Sequence, residues 1–241
     1  HGNTGLVFTG SSAVDLLSTE RAIAGFSGGD HAAWPQPSAQ QSTNSSGLTT
    51  RVLTEAAIRD AVIDGLEETG PGSQIDLAMF YLSHRGIVRA LARARRRGAE
   101  VRLLLDPNEH AFGRRKNGIP NRPVAAELKQ HGIEVRWCHT TGEQCHSKQL
   151  LIRYRNGTAR LISGSANYTR RNLDDFNLET MLEVTGPSQA ELMQSAAGWF
   201  EARWLNENGR SFSLDYASYA DSSRFRYWQY RLMEATGLST F

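Results

Sequence analysis

The sequence predicts an α/β fold in which helices flank a mixed, largely parallel sheet. Two continuous apolar runs, IDLAMFYL at 75–82 and VRLLLD at 101–106, have the composition of strands that are buried on both faces. A segment with helical spacing separates them, and this order indicates a right-handed crossover between parallel strands. Farther along, the Asn-Gly pair at 156–157 joins two more apolar runs and predicts a β-hairpin.

The remaining elements follow from caps and periodicity. A helix is predicted from a cap at Thr54 to the glycine at 70, and Ser83 caps the helix between the two buried strands. PVAAELKQHG at 123–132 has proline in its first turn and glycine beyond its end, which predicts a third helix. The other elements are strands at 133–138 and 179–184, a helix at 188–205 and an aromatic, basic terminal helix at 225–233.

Composition indicates a soluble globular protein. The chain has 241 residues, of which 39% are hydrophobic and 22% charged, with a net charge of +2. No run approaches the roughly 18 apolar residues of a membrane span, no segment resembles a signal peptide, and no glycine-rich nucleotide-binding motif is present. Basic residues cluster at 93–97 and 114–116. They either belong to a solvent-exposed helix end and a solvent-exposed loop, or they bind anions.

Cys138 and Cys145 flank a six-residue loop directly before a histidine. They could close a small disulfide loop in an oxidising compartment or remain free thiols in the cytosol, and the expectation for localisation leans to secreted or periplasmic. No metal site is predicted, because the Cys-x-x-Cys spacing is absent. We expect no cofactor.

Four chemically distinct side chains converge at one edge of the predicted sheet. His146 and Lys148 lie on the same face of a strand because side chains alternate with period two. The hairpin returns the chain, so Gly164-Ser165-Ala166-Asn167 comes back beside them. Lys148 and Asn167 could hold the non-bridging oxygens of a phosphate while His146 attacks phosphorus or protonates a leaving oxygen.

These residues resemble the signature of the phospholipase D superfamily, His-x-Lys followed at fixed spacing by Gly-Ser-x-Asn. The resemblance covers roughly residues 50 to 205. It implies a metal-independent phosphodiesterase with a phosphohistidine intermediate, in which His146 and Lys148 are catalytic and Gly164, Ser165 and Asn167 bind substrate.

The match departs from the signature at one position and extends beyond it at another. Arg153 occupies the position of the signature aspartate. That aspartate usually supports the site and does not attack the substrate, so its replacement affects local structure more than chemistry. NLE at 177–179 resembles the Asn-x-Glu strand start of this family. Glu179 is therefore the candidate for orienting a catalytic histidine by a hydrogen bond to the imidazole ring.

The superfamily's active site takes two His-x-Lys motifs, whereas this chain has one. Residues 1–28 resemble the closing strands of a first half, with a turn at Gly10 and Ser11 and with Ser12 at the expected asparagine. A linker at 29–50 and a second half with a helical extension at 51–241 would follow. The missing motif is expected from another polypeptide or from a symmetry mate.

Three functions remain open at this point. The leading one is hydrolysis or transfer of a phosphatidyl group of a phospholipid, with an apolar mouth near Phe80 and Tyr81 and aromatic residues around Trp228. The second is a nuclease that tracks a nucleic-acid backbone with the arginine clusters. The third is a half-site that binds an anion without turnover.

Overall fold

The computed structural model describes residues 2–8, 11–29, 34, 47–111 and 114–237. A mixed eight-stranded sheet forms the centre of this part of the chain and confirms the predicted fold class. The strands are β1 (Thr49–Thr54), β2 (Gln74–Met79), β3 (Glu100–Leu105), β4 (His110–Ala111), β5 (Arg114–Arg115), β6 (Glu134–Cys138), β7 (Lys148–Arg153), β8 (Thr158–Gly164), β9 (Thr180–Pro187) and β10 (Ser213–Asp215). The helices are α1 (Ser11–Phe26), α2 (Ala56–Glu67), α3 (Arg85–Arg96), α4 (Asn121–Gln130), α5 (Arg170–Leu173), α6 (Glu191–Trp204) and α7 (Arg224–Thr236).

The sheet combines a parallel part with an antiparallel part. Its strand order is β1-β9-β8-β7-β2-β3-β6-β10, and β4 pairs separately with β5. Crossovers through α3 and α4 make β2, β3 and β6 parallel, as the strand, helix, strand pattern predicts. The Asn-Gly hairpin makes β7 and β8 antiparallel, and β9 and β1 continue that pattern.

Helices cover both faces of the sheet. Leu77 and Met79 of β2 pack in the large cluster that α2, α3 and α4 cover, whereas Ala78 faces the other side and packs with Phe200 of α6. This two-sided burial explains why β2 and β3 are continuously apolar in sequence. In the described part of the chain, no helix has the length and apolar character needed to cross a bilayer.

Both closing strands expected within residues 1–28 are wrong in the part of this segment that the structure describes, because α1 occupies Ser11–Phe26 and residues 3–8 are not in a strand. Alanine, leucine, glutamate and arginine make up seven of the 16 residues of α1, and these residue types favour a helix. Residues 3–8 have no regular structure, although Leu6 and Phe8 pack against the sheet and Ser12 Oγ donates to the Thr50 carbonyl over 3.2 Å. His1 and Gly10 lie outside the described residues. The division into two halves stays a prediction.

The sequence also misplaces one cap and misses the strands β1, β4, β5 and β10. Thr54 ends β1, where it pairs with Thr180 of β9, and Glu55 is the residue that precedes α2. The segment just before α2 thus adds a strand to the edge of β9. Most of the predicted linker at 29–50 lies outside the described residues.

Candidate active site

The predicted site residues lie at one edge of the sheet. β7 begins at Lys148, β8 ends at Gly164 and β9 begins at Thr180. Because neighbouring strands in this trio are antiparallel, these three ends meet. Lys148 is also opposite Met79, so the same edge holds the carboxyl end of β2.

The His146 ring is partly buried against Phe80, with the two ring centroids 4.9 Å apart. Its backbone N–H donates to the Gly2 carbonyl over 2.8 Å. Burial, and secondarily the charge of Lys148, lower the pKa of His146 below the usual value for histidine. These surroundings therefore favour the neutral imidazole, which is the form that attacks phosphorus or accepts a proton.

Lys148 is a buried cation, with only 4% of the residue exposed. Its Nζ donates to the His146 carbonyl over 3.1 Å and lies 5.5 Å from the centre of the Phe80 ring. Burial lowers the pKa of Lys148 to about 8, and the charge of Glu179 partly opposes this shift. An ammonium has three donors, so Lys148 can hold a phosphate oxygen in addition to this carbonyl.

Glu179 organises the opposite wall of the site. Its Oε2 accepts a hydrogen bond from Ser165 Oγ at 2.5 Å, and its Oε1 accepts from Asn177 Nδ2 at 2.7 Å and from Asn172 Nδ2. Its backbone N–H donates to Glu55 Oε1 over 3.3 Å. The carboxylate is thus tied to Ser165 and two asparagines, and its role toward a histidine ring stays a prediction.

Asn167 has unused hydrogen-bonding capacity. Its Oδ1 is buried and has no hydrogen-bond partner among the described residues. Buried amide oxygens are normally satisfied, so an unmet one at this sheet edge marks a group that can engage a ligand or a further polypeptide.

Gly164 has a packing reason to be glycine. A Cβ at this position would lie 2.3 Å from the Thr180 carbonyl oxygen and 2.7 Å from Met181 Cα. β8 and β9 approach so closely here that any side chain displaces the backbone of β9. Gly164 therefore sets the spacing of the strand ends that carry Ser165 and Glu179.

Replacing Gly164 by alanine is expected to destabilise the protein by about 1–3 kcal/mol, the usual cost of overpacking. The displaced backbone belongs to Thr180, directly after Glu179, so activity should fall as well. Thermal unfolding measures the stability change. Gly198→Ala is the matched control, since no atom outside the backbone of its own helix lies within 4 Å of a Cβ there. Equal melting temperatures for the two variants would contradict the packing role.

Sequence reasoning missed a buried polar network beneath His146. Asn121 Nδ2 donates to the carbonyls of Phe80 and Asp106 over 2.7 and 2.8 Å, and Asn108 Nδ2 donates to Phe80 over 2.9 Å. The Cys145 N–H donates to Asp106 Oδ2 over 2.7 Å. Asn108, which follows the buried strand in LLLDPN, is the sequence feature that could have indicated this network. Its partner Phe80 is distant in sequence.

Cys138 and Cys145 form a disulfide, with their Cα atoms 6.1 Å apart. The bond ties the end of β6 to the residue before His146. Together with the hydrogen bond from Cys145 to Asp106, it fixes the backbone that presents the histidine.

Arg153 takes part in an ion-pair network at the position of the signature aspartate. Its Nη2 donates over 3.0 Å to Oδ2 of Asp76, a residue of β2 that is 1% exposed. Oδ1 of the same carboxylate accepts from Arg102 Nε over 2.8 Å. The negative charge at this place in the sheet thus lies on β2 rather than on β7.

The expected apolar mouth at Phe80 and Tyr81 is wrong, because these residues are only 2% and 5% exposed. Phe80 lies beneath His146 and Lys148 instead. Phe176 and Leu178, in the loop directly before Glu179, are 64% and 63% exposed and supply the apolar rim.

Within the described residues, no group of three histidine, cysteine, aspartate or glutamate side chains is placed to hold a metal ion. The convergent groups are an imidazole, an ammonium, a hydroxyl and an amide, with a carboxylate behind them.

Comparison with known proteins identifies relatives of the fold. The family model described as cardiolipin synthase, PLD-like domain, matches residues 62–204. The phospholipase D family member Nuc from Salmonella typhimurium is 21% identical with a TM-score of 0.52, and the match covers 70% of this chain and 98% of Nuc. Phosphatidylserine synthase from Haemophilus influenzae Rd KW20 is 12% identical with a TM-score of 0.57, and the match covers 96% of this chain and 55% of the synthase. A search of curated protein sequences finds no match.

Proposed function

Because this chain belongs to the phospholipase D superfamily, we propose that it is a metal-independent phosphodiesterase that hydrolyses or transfers phosphatidyl groups through a phosphohistidine intermediate. One observation carries the proposal: a buried lysine ammonium contacts the backbone of a partly buried histidine, at the sheet edge that also holds Ser165 and Asn167. A cation held in a low-dielectric site stabilises the charge that develops on a phosphoryl group more strongly than a solvated one.

His146 acts as the acid and then the base in this proposal. A histidine of the other half attacks phosphorus, an N–P bond forms, and the P–O bond to the alcohol breaks while His146 gives its proton to the departing oxygen. His146 then takes a proton from water or a second alcohol, whose oxygen displaces the histidine from phosphorus. An anionic substrate favours the imidazolium needed for the first step, and this effect opposes the lowering of the His146 pKa by burial.

The site requires a second His-x-Lys half. An in-line displacement places attacking and departing groups on opposite sides of phosphorus, so one imidazole cannot serve both. We infer that the other half comes from another polypeptide or from a symmetry mate. The chain spans nearly all of Nuc and about half of the phosphatidylserine synthase, and these extents are compatible with either arrangement.

The position of the arginine cluster at 93–97 favours a lipid over a nucleic acid. Arg93, Arg95 and Arg97 lie at the carboxyl end of α3, at the sheet edge opposite to the site. Arg97 donates to the carbonyls of Leu66 and Thr69, and Arg95 donates to the Gly132 carbonyl. These guanidinium groups bind helix ends on the side of the sheet away from His146. A nuclease and an anion-binding half-site without turnover are the alternatives.

An assay of the purified protein against phosphatidylcholine, cardiolipin, a bis-aryl phosphodiester and single-stranded DNA tests the function. We expect turnover of the phospholipids and of the bis-aryl diester. Turnover of DNA without turnover of lipids would establish the nuclease instead, and binding without any turnover would establish the anion-binding half-site.

Activity is expected to survive chelators, because the groups that face the phosphate are a lysine and amides rather than metal ligands. The measurement is turnover of the bis-aryl diester after dialysis against EDTA, with and without added Mg²⁺, Ca²⁺ or Zn²⁺. Complete loss that one of these ions restores would count against the mechanism.

A further inference from the structure

The terminal helix α7 carries an exposed apolar stripe. Phe225, Trp228 and Leu232 are 78%, 63% and 66% exposed. Their spacing of three and four residues confines them to about 60° of the helix circumference. Large apolar side chains in one contiguous exposed row usually mark a contact surface.

The orientation of this stripe is set by the opposite side of the helix. Tyr230 is fully buried, and Tyr227 and Met233 pack against the main core. Glu234 Oε2 accepts from Ser83 Oγ over 2.6 Å, and Glu234 Oε1 accepts from the Arg170 N–H over 3.1 Å. The buried side therefore fixes α7 on the domain, and the stripe is left facing outward.

The acidic residues near the stripe are already paired: Asp221 and Glu127, which line the pocket beside Trp228, form ion pairs with Arg226 and Arg85. Arg224 is exposed, and Arg231, three residues after Trp228, lies beside the stripe on the helix surface. Glu234 is the one acidic residue of α7, and it is buried with a pKa raised by burial. Arg226 pairs with Asp221, so the helix presents unbalanced positive charge beside its apolar row.

The stripe leads toward the candidate active site. A groove of about 270 Å³ at the carboxyl end of α7 is lined by Arg170, Arg171 and Phe176 together with the helix end at Thr236 and Gly237. Arg170 lies over the Phe176 ring, 5.5 Å from its centre. The exposed Phe176–Leu178 loop then continues directly into Glu179.

We propose that the outer face of α7, with the Phe176–Leu178 loop, docks onto an anionic phospholipid surface. Aromatic and aliphatic side chains beside arginines are the composition of a helix that lies in a membrane interface, and anionic headgroups complement Arg171, Arg224 and Arg231. A second copy of the chain fits this face less well, because a twofold contact of α7 with α7 brings like-charged arginines together. The identity of the substrate rests on the proposed function, whereas docking is measured independently of turnover.

Flotation with vesicles tests the proposal, using phosphatidylcholine alone and phosphatidylcholine with phosphatidylglycerol. We expect binding to the anionic vesicles that weakens with salt. The triple variant Phe225→Ser, Trp228→Ser, Leu232→Ser should bind about tenfold or more weakly. The favourable burial of three large apolar side chains in the membrane interface is lost in this variant. Leu205→Ser, at a position that is 60% exposed at the end of α6, is the matched control and should bind normally.

Three outcomes would overturn the proposal: unchanged vesicle binding by the triple variant, a change in its oligomeric mass by light scattering, or equal binding of both vesicle types. Loss of single-stranded DNA binding in the triple variant, without loss of vesicle binding, would assign the face to nucleic acid. Turnover of the soluble bis-aryl diester should stay unchanged in the triple variant. If the wild-type protein binds anionic vesicles but turns over no diester, the proposed function fails and the docking surface stands.

Discussion

Replacing His146 by asparagine is expected to reduce phosphodiesterase turnover by about 10⁴-fold or more, because His146 is the group that gives and takes the proton in the proposed mechanism. Asparagine keeps a hydrogen-bonding group of similar reach but cannot titrate. The ring of His146 is only partly buried, so the melting temperature should change little. Turnover of a bis-aryl phosphodiester and thermal unfolding measure the two effects separately.

His131→Asn is the matched control for this variant. His131 follows α4 at the opposite edge of the sheet and is exposed. Full activity in His131→Asn and none in His146→Asn would support the assignment. Unchanged turnover in His146→Asn would remove His146 from the mechanism and favour a half-site that only binds anions.

Replacing Lys148 or Asn167 by alanine is expected to lower turnover by about a hundredfold or more, the scale at which a donor to developing negative charge contributes. Substrate affinity should weaken less than turnover, since the charge grows in the transition state. Steady-state kinetics that separate kcat from KM measure the difference. A Lys148→Ala variant that changes affinity alone would make Lys148 an ordinary docking charge.

The lowered pKa of Lys148 adds a dependence on pH. Its ammonium is needed for activity and titrates at about 8, so turnover should fall as pH rises through 8, well below the usual lysine value of 10.5. A rise in pH has the opposite effect on folding stability. The folded pKa lies below the unfolded value, so burial of the charge costs stability at neutral pH, and this cost disappears as pH rises from about 8 to 10.5.

Lys148→Met separates catalysis from folding. It removes the buried charge and keeps most of the volume, so the protein should be at least as stable as wild type at pH 7 while turnover is lost. Lys129→Met, at an exposed position near the end of α4, should leave activity unchanged.

The sequence predicts the sheet edge of the site because strand signals and turn signals are local. The two buried apolar runs and the Asn-Gly hairpin are enough to place Lys148 beside the end of β8. The partners of Glu179 are less accessible, since Asn172 lies in a short helix whose position depends on tertiary packing. The exposed apolar rim at Phe176 and Leu178 carries no periodic signal at all.

Longer-range contacts account for the remaining differences. β1 pairs with the edge of β9, and four of the six residues of TTRVLT are β-branched, so a local strand signal was present beside the misplaced cap at Thr54. α1 forms where a match to closing strands was expected, since alanine and leucine content outweighs a short Gly-Ser resemblance. The buried pairing of Arg153 with Asp76 joins residues that are far apart in sequence.

That pairing couples the energies of two positions that are far apart in the chain. Aspartate at position 153 would place a second carboxylate beside Asp76, which is buried and would keep Arg102 as an ion-pair partner. Like charges in such a place are costly, so Arg153→Asp should destabilise the protein. The cost should shrink when Asp76 is replaced by asparagine, and the effects of the two substitutions on unfolding should therefore not add.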